Sequence, residues 1–249
     1  MEYVRTNYDE ALILFISKEF SEYFLKGDNH GIALYKQLMR NANRDVALEE
    51  FMVAMGLKEP VKISLKSETK EYDFSYVYED IKYYTKVADI TIGSLETTFA
   101  GADRGYSNYP TFNSPDSLAT SLKKIGVDVI SLAGNHALDY GYSGLCRTID
   151  VLDKADISHL GTYKTAEDQE KILIKYVKGV KIAFINYTYG TNGIPVPYDK
   201  KYCVNLIDKD LMLKQINQAK SENVDMIVAC MHWGTEYKTS ANSEQKELA

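Results

Sequence analysis

Cysteine is scarce. Cys146, Cys203 and Cys230 are the only three in 249 residues; they are far apart and form no CxxC pair. This excludes a disulfide framework and a zinc knuckle. Apolar residues never run for the roughly 18 positions that a membrane-crossing helix needs. The N-terminus carries Glu2, Asp9 and Glu10 where a secretory leader would carry basic residues, so no signal peptide is expected. Positive charge is in deficit, 29 Lys and Arg against 35 Asp and Glu, for a net charge of −6. No basic stripe offsets that deficit, and a nucleic-acid partner is excluded.

What remains is ordinary globular material, 45% hydrophobic and 26% charged. The length suits one large domain, or one domain with a small appendage. The 20 tyrosines are many. They cluster at Tyr72, Tyr76, Tyr78, Tyr83 and Tyr84 and again at Tyr187 and Tyr189, as half-buried surface aromatics or as the lining of a polar cleft.

Taken in order, residues 1–57 predict a small all-α segment to which no activity is assigned. Apolar residues such as Leu12, Phe15, Tyr23, Leu34 and Leu38 recur at helical spacing. His30 falls in a turn of that segment and reads as an exposed loop histidine. Residues 58–60 read as a linker. From residue 61 to 249 the pattern changes to α/β. Strands are expected at 61–65, 88–95, 127–133, 157–160 and 224–231, with a hairpin over 172–187 turning at Lys178-Gly179. Helices are expected over 72–87 and 143–155, from a Ser114-Pro115-Asp116 start to 126, from an Asp208 cap to 222, and from 243 onward. The rhythm predicts a mixed sheet system, two sheets packed face to face. The connection over 97–113 is long for a structureless loop, and such loops often carry function.

Three expected strands end in a polar or ionisable residue: one in Glu96, one in Asn135-His136 with Asp139 close behind, one in His232. Aligned strands of an α/β sheet gather such ends on one rim. Carboxylate, amide oxygen and imidazole together suit Mn²⁺, Fe²⁺ or Zn²⁺. The same histidines also read as satisfied structural residues, and spacing alone leaves both readings open.

The stretches ADITIGSLETTFAG, YPTFNSPDSLATSLKKIGVDVISLAGNHALDYGYSGL and MHWGTEY are specific in combination. They resemble the CapA (PgsA-like) family of bacterial capsule-synthesis proteins, which is associated with poly-γ-glutamate and is similar in fold to the calcineurin-like metallophosphoesterases. The resemblance runs from about residue 61 to the end. It implies a metallophosphatase-like two-sheet α/β sandwich, incomplete here, behind the all-α segment. It implies Glu96, Asn135 and His232 as metal ligands, His136 as general acid oriented by Asp139, and Tyr109, Phe112, Asn113, Tyr189, Asn192 and Glu236 as substrate-facing residues. The implied cofactor is a divalent ion (Mn, Fe or Zn), and the implied reaction is attack on a phosphoryl or carbonyl centre. Implied partners are an anionic polymer such as poly-γ-glutamate or its precursor, and other capsule-synthesis proteins. Family members work outside the cytoplasm behind a membrane anchor, a feature not recognised in this sequence, so location stays open.

Some letters depart from the family pattern. The family's opening strand ends in a ligating Gly-Asp, whereas 61–65 runs into Lys66-Ser67-Glu68. The family's closing Gly-Ser-His-Pro-His turn has no match, Gly134 replaces the usual Asn, and Ser94 replaces another. The expectation is an incomplete metal site with weak or absent binding. Three functions compete: a hydrolase, a non-catalytic module for capsule polymer assembly, and an inactive fragment.

Overall fold

The computed structural model describes residues 72–249. The helical reading of 1–57 and the strand reading of 61–65 lie outside the described residues. Three short apolar runs pair as parallel strands in the order β1 (Ile92–Ser94), β2 (Val129–Ser131) and β3 (Ser158–Leu160). Ile92 faces Val129, and Val129 faces Ser158. All three residues of β2 are buried, as a central parallel strand requires when both faces are covered. Parallel neighbours need crossovers. Helix α1 (Lys82–Val87) leads into β1, α2 (Ser117–Lys124) joins β1 to β2, and α3 (Gly141–Lys154) joins β2 to β3. The buried residues of α3 include Leu145, Thr148, Ile149 and Leu152, a helical stripe turned inward.

A short helix α4 (Ala166–Gln169) leads to the second sheet. Strands β4 (Leu173–Val177) and β5 (Val180–Thr188) form an antiparallel hairpin. Its turn residues Lys178 and Gly179 have φ of 47° and 85°, the doubly positive backbone of a type I′ turn. Helix α5 (Lys209–Ser221) then carries the chain to β6 (Met226–His232), which pairs parallel to β5. The Asp208 carboxylate caps α5 by accepting from the Leu211 amide at 2.8 Å. A last helix, α6 (Ser243–Leu248), opens with a reciprocal capping box between Asn242 and Gln245.

Val129 of β2, Leu160 of β3 and Ile182 and Phe184 of β5 form one buried cluster, with Ile90, Leu173, Val177 and Val228 packed on it. The two sheets therefore share a core, and the architecture is a two-sheet α/β sandwich.

The structure differs from expectation at several boundaries. Residues 72–87 are not one helix: a 3-10 turn at Ser75–Tyr78 precedes α1. Asp73 accepts from the Ser75 amide at 2.9 Å and fixes the local turn instead of a longer helix. Ser114 does not cap α2, because its hydroxyl is paired with Thr97 at 2.9 Å. The helix begins later, at Ser117, and the Asp116 carboxylate takes a two-pronged contact from Arg147 at 2.7 and 2.8 Å. Strands β1 and β2 are shorter than their apolar runs, since pairing covers only three residues of each. Strand β6 reaches His232, opposite Thr188. Among the described residues, no helix is long and apolar enough to cross a membrane.

Candidate functional site

The C-terminal ends of β2 and β6 come together through a buried amide. Asn186 lies in β5 and is 1% exposed. Its Oδ1 accepts from the Ala133 amide at 2.7 Å, and its Nδ2 donates to the Cys230 carbonyl at 2.9 Å. One side chain thus ties the β2 turn in the first sheet to β6 in the second. Gly161, just after β3, makes room for it. A Cβ there would stand 2.1 Å from Asn186 Oδ1, and its φ of 93° already favours glycine.

This stitching places Glu96, two residues past β1, beside His232 at the tip of β6. Glu96 Oε1 and His232 Nδ1 are 3.8 Å apart, with side chains 22% and 24% exposed. That separation is too long for a hydrogen bond. Two donors on one ion, with bonds of about 2.0–2.2 Å, stand up to about 4.2 Å apart, so the pair lies within a single ion's reach. The Tyr189 ring lies nearly parallel to the His232 imidazole, centroids 5.9 Å apart at 14°. The β2 turn closes on the same spot. A Cβ on Gly134 would stand 3.9 Å from His232 Nδ1, an ordinary contact distance. Asn135 follows, and its Oδ1 is buried with no hydrogen-bond partner. A carboxylate and an imidazole this close, with a buried unpaired amide oxygen on the neighbouring turn, are of the donor types a hard-to-borderline divalent ion accepts. The residues present therefore fit such an ion. Among the described residues, no group of three or more His, Cys, Asp or Glu converges in a way that could hold a metal; the third donor here is an amide.

The second part of the site is His136 and Asp139. His136 is 5% exposed, and its Nδ1 lies 2.7 Å from Asp139 Oδ2. The same carboxylate oxygen accepts from the Phe112 amide at 2.7 Å. An ionised carboxylate only accepts, so His136 carries its proton on Nδ1 and presents Nε2 as the acceptor. Asn192 Nδ2 lies 3.4 Å from that Nε2, and Asn192 Oδ1 accepts from Asn135 Nδ2 at 3.2 Å. The Phe112 ring meets the His136 ring edge-on at 4.5 Å. On the adjoining strand, burial pushes the Cys230 thiol up.

Of the residues singled out in the sequence, Glu96, His232 and Tyr189 meet at one point, and Asn135, His136, Asp139 and Asn192 form one connected set. Phe112 and Asn113 are at most 1% exposed and lie behind the rim. Asn113 staples its own loop: its Oδ1 accepts from the Ala100 amide, and its Nδ2 donates to the Gly101 and Gly105 carbonyls. Both residues support the site from within. Tyr109 is 72% exposed, and Glu236 lies exposed in the turn after β6. Asn186 and Gly161 were not singled out. Asn186 sits inside an apolar run, where a lone polar letter is the one available signal.

The sequence matches the family described as bacterial capsule synthesis protein PGA_cap over residues 34–249. The chain belongs to that family. It is 27% identical over 194 residues to the capsule biosynthesis protein CapA of Bacillus anthracis, covering 74% of this chain and 47% of that protein. It is 31% identical over 132 residues to the PGA biosynthesis protein CapA of Bacillus subtilis (strain 168), covering 51% of this chain and 34% of the relative. The chain thus spans less than half the length of these curated relatives. The PGA_cap match also begins well before residue 61, where the motif resemblance begins.

Proposed function

We propose that the rim is a metallophosphoesterase-like site working in capsule biosynthesis, on a phosphoryl or acyl centre of an anionic polymer such as poly-γ-glutamate or of its precursor. The observation that carries this reading is the 3.8 Å approach of Glu96 Oε1 and His232 Nδ1; the buried, unpaired Oδ1 of Asn135, on the turn that reaches His232, supports it. Membership in a capsule-synthesis family supports the polymer. Glu96, Asn135 and His232 would hold a divalent ion. Bound there, the ion would supply Lewis acidity toward the substrate oxygen and lower the pKa of water.

The remaining chemistry belongs to the chain. Asp139 holds the Nδ1 proton of His136 and stabilises the imidazolium once Nε2 has taken a proton. His136 then gives that proton to the leaving group as general acid. The Tyr189 ring is 56% exposed and offers an aromatic face to an incoming substrate.

The test is a thermal melt of the full chain with Mn²⁺ and with Zn²⁺. Either ion raises Tm in the parent, and His232→Ala removes the rise. An unchanged Tm across both ions sinks the metal reading. The second reading, a polymer-binding module without turnover, draws on the absence of a convergent ionisable trio among the described residues. It predicts binding of poly-γ-glutamate that persists in chelator, with no product released.

A further inference from the structure

We infer that Arg104 is a carboxylate-holding residue of the rim: the free edge of its guanidinium takes a side-chain carboxylate of an anionic polymer in a two-pronged contact. The inference rests on the polymer reading above and needs no metal.

Arg104 belongs to the loop that leaves β1 just past Glu96, and Tyr140 and Ser143 lie where α3 begins after the β2 turn. Strands β1 and β2 are parallel neighbours, so both connections start from the same carboxyl end, the side on which α/β sheets bind ligands. The contacts agree with this topology. Arg104 Nη1 donates to the Tyr140 carbonyl at 3.2 Å and to Ser143 Oγ at 3.0 Å. Its Cζ stands 5.0 Å from the centre of the Tyr140 ring. Tyr140 directly follows Asp139, the carboxylate that meets His136. The turn that carries Arg104 is itself fixed. Asn113 Nδ2 donates to the Gly101 and Gly105 carbonyls, one at each end of the 3-10 turn Ala102–Arg104. Ser107 Oγ donates to the Thr111 carbonyl at 2.7 Å and so accepts from the Tyr140 hydroxyl at 2.8 Å.

A guanidinium presents its N–H donors in a fixed fork. Those on Arg104 Nη1 are used inside the chain. The Nε and Nη2 groups have no partner among the described residues, and together they form the side edge that matches a carboxylate. No acid among the described residues pairs with this charge. The neighbouring Asp103 carboxylate acts on Arg147, and Arg147 is already held by Asp116 at 2.7 and 2.8 Å. Of the two arginines in the described residues, one is thus engaged in the fold, and the other is exposed at the rim with an open edge. The charge matters there. The chain has a net charge of −6, and Glu96 and Asp139 add negative charge at the rim. A polyanion is repelled from such a surface unless a cation receives it.

The test is binding of fluorescently labelled poly-γ-glutamate to the full chain in the presence of EDTA. Arg104→Ala weakens binding about tenfold, the scale of a charge-assisted pair. Arg104→Lys keeps the charge and loses the fork, and stays about threefold or more weaker than the parent. Lys220→Ala removes the same charge near the end of α5, at the opposite end of β6 from His232, and stays within about twofold of the parent. Circular dichroism checks that the variants are folded. No loss in Arg104→Ala, or an equal loss in Lys220→Ala, would overturn the inference. A second measurement does not depend on the polymer: the ¹⁵N signal of Arg104 Nε moves when glutarate is added at constant ionic strength. A signal that moves with inorganic phosphate and not with glutarate reassigns the edge to a phosphoryl group and overturns the carboxylate assignment. If the parent fails to bind the polymer while glutarate still moves the signal, the polymer reading fails and the carboxylate site on Arg104 stands. If neither is seen, the inference fails with it.

Discussion

Gly134 sits directly before Asn135, and the backbone there is not in the left-handed region. A side chain at 134 would emerge 3.9 Å from His232 Nδ1 without a clash. Gly134→Asn therefore adds an amide oxygen beside the proposed metal donors Glu96 and His232. Zn²⁺ affinity measured by calorimetry should rise about tenfold, the scale on which single supporting groups act at metal sites. A fall in affinity would mean that position 134 does not face the ion. Cys203 makes a separate prediction. It is 0% exposed, and burial pushes its thiol from 9.0 up to about 11. At about pH 8 it should resist iodoacetamide in the native chain and react promptly once unfolded. The linkage sign follows from the raised value. Keeping the thiol protonated favours the folded state fully below pH 9.0, and that contribution is lost as pH climbs from 9.0 to about 11.

Individual elements were legible in the sequence wherever a local rule sets them. Lys178-Gly179 between two alternating runs forms the expected two-residue hairpin. Asp208 caps α5 as expected, and Asp208→Ala should cost about 1 kcal/mol, read as a lower urea midpoint at unchanged slope. Glu96, Asn135-His136 and His232 could be placed at strand ends because apolar runs stop there. The rest depends on partners remote along the chain. Asn186 bonds residues 53 and 44 positions away, which no local window reveals. Ser114 looked like a helix cap but is engaged by Thr97, 17 residues earlier. Tyr72 to Val87 carries helical spacing, yet Asp73 and the run of Tyr76, Val77 and Tyr78 favour a tight turn over a continuous helix. Asn192 opens an Asn-Gly pair, a local turn signature, but its contact with His136 spans 56 residues and emerges only once the two sheets pack together.

At the scale of the molecule, the two sheets are small, three strands each among the described residues, and too short to be stable apart. The apolar cluster and the Asn186 bonds at the rim are among what joins them. Val129 and Leu160 belong to the first sheet, and Ile182 and Phe184 to the second. Phe184 is 2% exposed, so Phe184→Ala opens a cavity at the junction and should cost about 3–5 kcal/mol. Because the cavity lies between the sheets, the loss should not stay in β5. Native-state hydrogen exchange should show the amides of β2 and β5 losing protection by the same free energy. Were β5 to lose protection while β2 kept it, the sheets would be separate cooperative units. The rim inherits this dependence. Glu96 and Asn135 come from the first sheet and His232 from the second, so the variant should lose its Zn²⁺-induced rise in Tm at denaturant concentrations where the parent still shows one. Substitution of an exposed residue such as Leu213, at 57% exposure, should leave that rise intact.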